Sequence, residues 1–131
     1  MKLKFFAAVT GLIFAGAVHA VEIKAASNDP VLTSEQFKTI VEQTLPASAK
    51  ALNEDFRVIA ILETTKSRPG EDLFFYSVMM HRKVIDATSK KVYWAQTGGV
   101  RGNGITSGAE ALEKDIRKYM EIGVNSFKTD Q

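Results

Sequence analysis

The chain has no cysteine among its 131 residues, only three prolines, one tryptophan and two histidines. Without thiols it has no disulfide, no cysteine-based zinc or iron–sulfur site, no thiol nucleophile and no lipid-modified amino-terminal cysteine. The fold must rest on its core alone. His19 lies within the first twenty residues, which leaves His81 as the single imidazole of the remainder. No G-x-S-x-G elbow accompanies it. The acidic pairs Glu54-Asp55 and Glu71-Asp72 flank predicted strand ends, as solvated loop charges do. These shortages predict a non-enzymatic protein with no cofactor.

A long apolar run is also missing after residue 20. Before it, MKLKFFAAVTGLIFAGAVHA carries Lys2 and Lys4, an apolar stretch from Phe5 to Val18, and small residues at Val18 and Ala20. That is the pattern of a secretory signal peptide cut between Ala20 and Val21, and it predicts a periplasmic or secreted bacterial protein with no stable membrane span. Taking 20 residues from 131 leaves 111, the size of one domain. Taking two lysines from the 17 basic residues leaves 15 against 15 acidic, so the basic pI of 8.9 belongs to the leader and predicts no nucleic-acid partner.

What is present has clear periodicity. Residues 21–32 read as an extended lead-in that breaks at Asn28-Asp29-Pro30, and residues 33–131 as one α+β domain. Thr33 with Gln36 forms a capping box ahead of Phe37, Ile40, Val41 and Leu45 at helical spacing, and Pro46 should kink or restart that helix. FRVIAILET from Phe56 is an internal strand, Pro69-Gly70 a turn, and residues 72–86 a longer strand whose even positions are the more apolar. Asp86, Thr88 and Ser89 close a hairpin into KVYWAQTGGV, and Ser107 with Glu110 reads as a second capping box for the last helix. Leu112, Ile116, Tyr119, Met120 and Phe127 fall near one face of it. The expected architecture is a two-layer sandwich: a three- to four-stranded antiparallel sheet with two main helices.

Two stretches invite a ligand. GGVRGNGIT, residues 98–106, has the glycine spacing of a phosphate loop, but Ile105 stands in the lysine slot and an exported protein meets no nucleoside triphosphate. The stretch reads instead as a bulge or close backbone approach at Gly98-Gly99, then a positive-φ turn at Gly102-Asn103-Gly104. A milder ligand reading keeps an anion site from Arg101, Thr106 and Ser107 at the following helix amino terminus. Met79, His81 and Trp94 supply side chains that Cu(I) or Ag(I) favours. Pairing Ile85 with Val92 sets Lys83 opposite Trp94 with His81 diagonal to it, where the lysine would repel the ion.

Residues 77–104, SVMMHRKVIDATSKKVYWAQTGGVRGNG, resemble the late part of a group of bacterial envelope domains. The group includes the curli secretion channel's periplasmic domain, penicillin-binding-protein activator lipoproteins and the amino-terminal domain of the TolB type. The matching residues are Val84, Asp86, Ser89, Val92 and Trp94, with Lys90 where the group usually has glycine. A left-handed lysine there would cost about 1 kcal/mol. The resemblance implies an envelope-assembly or regulatory module that binds other proteins.

If the helices cover the Phe74/Val78/Met80 face, then Phe75, Met79, Ile85, Val92 and Trp94 share the opposite one as an apolar partner surface. The function expected from the sequence is protein binding in the envelope, to a partner or to a second copy. A small-ligand or soft-metal carrier, or an inhibitor or immunity protein of an envelope enzyme, are the alternatives.

Overall fold

The computed structural model describes residues 20–123 and Phe127; all but the last residue of the predicted signal peptide lie outside them. The order is β1 (Glu22–Ser27), α1 (Ser34–Thr44), α2 (Ala47–Lys50), β2 (Phe56–Arg68), β3 (Glu71–Ile85), β4 (Val92–Thr106) and α3 (Ala109–Ile122). The strands form one sheet in the order β1-β2-β3-β4. It is an α+β sandwich, as the sequence predicts.

The sheet is mixed rather than purely antiparallel, because β1 runs parallel to β2, Glu22 beside Arg57 through Ser27 beside Leu62. Segment 21–32 is therefore part of the domain and not merely a lead-in. Its Ile23 and Ala25 pack against the core and Val21 is buried within it. The crossover from β1 to β2 passes through α1 and α2, as a parallel pair requires. Asp29 fixes its start by accepting from the Val31 and Leu32 amides at 2.9 and 2.6 Å and from the Thr64 hydroxyl at 2.8 Å.

The capping box at α1 forms as expected: the Thr33 amide donates to Gln36 Oε1 at 3.0 Å and the Gln36 amide to Thr33 Oγ1 at 3.4 Å. Pro46 ends that helix and caps α2. The second box does not form. Gly108 is the N-cap of α3 with no side-chain cap, and Thr106 Oγ1 instead donates to the Gly108 carbonyl at 3.0 Å. The sequence signal failed because β4 runs on to Thr106, which leaves Ser107 in the bend between strand and helix.

The core lies on one side of the sheet. Val58, Ala60 and Leu62 of β2, Phe74, Tyr76, Val78 and Met80 of β3, and Val100 of β4 meet Phe37, Ile40 and Val41 of α1 and Leu112, Ile116 and Met120 of α3. The two helices touch, and Arg117 of α3 donates to Gln43 of α1 at 2.8 Å. Among the described residues no helix is long and apolar enough to cross a membrane.

Residues 98–106 are strand, not turn. Gly102 and Gly104 sit opposite Tyr76 and Phe74, whose rings lie where a β4 side chain would be. A Cβ on Gly102 would stand 2.4 Å from Tyr76 Cε1, and one on Gly99 would stand 2.2 Å from the Val78 carbonyl oxygen. The glycine run is a seat for aromatic rings from the neighbouring strand, which is the close-approach role of strand glycine. The positive-φ residues of the sheet and its turns lie elsewhere: Gly70, with φ 75°, follows Pro69 in a turn, Lys90, with φ 61°, closes the β3–β4 hairpin, and Gly99, with φ 154°, sits within β4 beside Val78.

Candidate functional site

The face of the sheet opposite the helices is uncovered by any described element. Strand alternation places Lys24 of β1, Arg57, Ile59, Ile61 and Glu63 of β2, and Leu73 through Ile85 at odd positions of β3 on this face. On β4 the alternation is broken once. Met80 pairs with Gly98 but His81 pairs with Gln96, so Thr97 is a bulge residue, its hydroxyl donating to the Met80 carbonyl at 3.4 Å. Because a strand alternates with period two, that extra residue moves Trp94 from the face of Val100 to the open face.

The hairpin confirms the predicted local register: Ile85 faces Val92 and Lys83 faces Trp94. Its turn is held by Asp86, whose carboxylate accepts from the Thr88 and Ser89 amides at 3.0 and 2.6 Å. Those bonds, the Ser89 amide's foremost, hold the Asp86 carboxyl below the usual carboxylate range.

All five predicted partner residues, Phe75, Met79, Ile85, Val92 and Trp94, are on the open face, yet they do not form one patch. Ten residues of strand separate Phe75 from Ile85, about 33 Å at the usual rise. Met79 between them is only 8% exposed, and its sulfur reaches over Gly99. Ile85 and Val92 belong to a two-stranded ribbon that projects past β2, whose ladder with β3 begins at Phe56 opposite Arg82. At the other end Phe75 is joined by Ile61, Leu73 and Ile105, all exposed. Leu73 was legible from the same alternation as Phe75, while Ile105 was hidden by reading residues 102–104 as a turn.

The side chain that sequence reasoning missed is Arg57. It reaches from β2 across β3, and its guanidinium carbon lies 4.1 Å from the centroid of the Trp94 ring on β4. Such a stack is worth about 0.5–2 kcal/mol, the upper end where water is excluded. Lys83 Nζ stands farther from the ring, at 5.8 Å, and within 3.7 Å of Asp55. His81 lies directly opposite Arg57. Burial, together with the charge of Arg57, lowers the His81 pKa below its ordinary value.

This arrangement bears on two ligand readings of the sequence. Met79, His81 and Trp94 share a face, but the ring that would meet a soft metal ion already carries a guanidinium, and a second cation is repelled. The anion site from Arg101, Thr106 and Ser107 is split. Arg101 faces Ser77 on the open side, whereas Thr106 is buried on the helix side, five residues and about 17 Å further along the strand. The depression beside Ser107 at the start of α3 is lined by Glu110 and Glu113 as well as Lys114 and Arg117, so it offers an anion no uniform charge.

The chain matches no protein-family model, no curated protein and no solved structure.

Proposed function

We propose that the protein is a non-enzymatic accessory module of the bacterial envelope that binds another protein through the open face of its sheet. The observation that carries this reading is the row Ile61, Leu73, Phe75 and Ile105. Each is 38–59% exposed, and together they span three adjacent strands with no described element over them. A contiguous apolar surface on a small domain is a common mark of a protein-contact surface.

The edge of the sheet supports the same reading. Edge strand β1 is short and carries the Glu22–Lys24 ion pair at 3.7 Å, a device that discourages pairing. Edge strand β4 is 15 residues long, holds no proline, and has Arg101 as its one charged side chain. A partner strand added there would extend both the ladder and the apolar face. The leader-like residues 1–20 and the resemblance of residues 77–104 to envelope-assembly domains support a periplasmic or secreted location for the module.

The test is paired. Phe75→Ser combined with Ile105→Ser, and separately Trp94→Ala, should keep the circular dichroism and melting behaviour of a folded domain while weakening association. Association is read by sedimentation and by comparing envelope proteins captured on wild-type and variant protein. Unchanged capture and unchanged sedimentation in the folded double variant would refute the reading.

A further inference from the structure

The Arg57 guanidinium is held in place without an acid. It makes no hydrogen bond and no ion pair with any described residue, and its Nε is buried with no acceptor. The two nearest carboxylates by register are engaged elsewhere: Glu22, beside Arg57 on β1, pairs with Lys24, and Asp55 pairs with Lys83. What fixes the guanidinium is the face of Trp94, with His81 opposite on β3 and its Nδ1 also buried without a partner. A cation oriented by an aromatic ring, with its charge unneutralised, is preorganised for an anion, and the planar guanidinium matches a carboxylate edge to edge.

The surroundings define the source of that anion. Along its paired strands the open face carries Lys24, Arg57, Arg68, Lys83 and Arg101 against Glu22, Glu63 and Glu71, five bases to three acids. Next to Trp94, the ribbon presents Ile85 and Val92, both more than half exposed. A free inorganic anion would gain nothing from those two side chains. An acidic protein segment with apolar residues flanking its carboxylate would use both features.

We propose that Arg57, stacked on Trp94, is the carboxylate-binding site of the open face, and that the partner is an acidic protein segment whose carboxylate meets this guanidinium while its apolar neighbours cover Ile85 and Val92. This rests on the open face being a partner surface, and it adds the partner's chemistry. Trp94 is the chain's single tryptophan, so its fluorescence reports on this site alone.

The experiment titrates the purified protein with a hexapeptide alternating valine and glutamate, the same peptide with glutamine, and inorganic phosphate, following Trp94 emission. The glutamate peptide should perturb the emission and bind at least tenfold more tightly than the glutamine peptide. Arg57→Gln should abolish that preference, Arg57→Lys should retain part of it, and Arg101→Gln should leave most of it. Equal binding of the two peptides, or a preference that survives Arg57→Gln in a folded protein, overturns the proposal. So does phosphate competing as well as the glutamate peptide, since that marks a simple anion site. If the peptides are not distinguished while the Phe75/Ile105 double variant still loses its partner, the carboxylate site falls and the open-face reading stands. If that variant keeps its partner, the broader reading falls by itself.

Discussion

Replacing single glycines of β4 by alanine should destabilise the protein in an order set by what each new methyl group meets. At Gly104 the added Cβ would lie 3.2 Å from Phe74 Cε1, a contact that a few tenths of an ångström of ring movement relieves. At Gly102 it would lie 2.4 Å from Tyr76 Cε1, and Tyr76 is fully buried, with the Phe74 and Tyr119 rings each 6.4 Å away. Overpacking of this kind costs about 1–3 kcal/mol, and alanine's stiffer unfolded chain returns about 0.4–1 kcal/mol. The net loss at Gly102 is then about 1–2 kcal/mol. At Gly99 the obstacle is backbone, the Val78 carbonyl oxygen at 2.2 Å, and φ is 154°, so neither a rotamer change nor a ring shift helps. The loss there should reach about 3 kcal/mol or more, enough to unfold a marginal domain.

Urea and thermal unfolding of the three variants measure this directly. With about 4–8 °C per kcal/mol for a domain of this size, Gly104→Ala should melt within a few degrees of wild type, Gly102→Ala roughly 5–15 °C lower, and Gly99→Ala lower still. A Gly102→Ala protein as stable as wild type would refute the idea that the glycines seat the β3 rings. So would a Gly104→Ala protein less stable than Gly99→Ala.

Two further outcomes follow from the hairpin and from the open face. Lys90→Gly should stabilise the protein by up to about 1 kcal/mol, because φ 61° is strained for lysine and relaxed for glycine; a lower urea midpoint would contradict this. His81 should titrate below its ordinary 6.5 in a proton–nitrogen NMR experiment, and Arg57→Gln should raise the midpoint by removing the neighbouring positive charge. A depressed folded-state pKa means that the unfolded chain binds the proton more readily. The stabilising contribution of neutral His81 is therefore present above about pH 6.5 and lost as pH falls toward the folded-state value. A midpoint unmoved by Arg57→Gln would show that the guanidinium charge does not act on the imidazole in solution.

Local features were legible because their causes are local. The Thr33–Gln36 box, the break at Pro46, and the hairpin closed by Asp86 each depend on groups within five residues of one another, and a tight turn fixes the register of the strands it joins. That is why Ile85 facing Val92 and Lys83 facing Trp94 could be read from the turn outward. The α+β class followed from the change of apolar period at Phe56 and back again in the last helix.

Three decisions belong to the tertiary structure. The parallel pairing of β1 with β2 joins segments some 35 residues apart, and nothing within residues 21–32 specifies it. The glycines of β4 read as a turn by their own chemistry and became strand because rings on β3 occupy the space of the missing side chains. The candidate site arises from the same cause. Arg57, His81 and Trp94 lie on three strands and meet only because the β2–β3 register and the bulge at Thr97 aim all three at one face. Chemistry within single segments set helix α1, strands β2 and β3, the last helix and the hairpin register. Long-range pairing decided which of their residues stand together, since register between distant strands is set by the packing of the whole sheet and not by any segment within it.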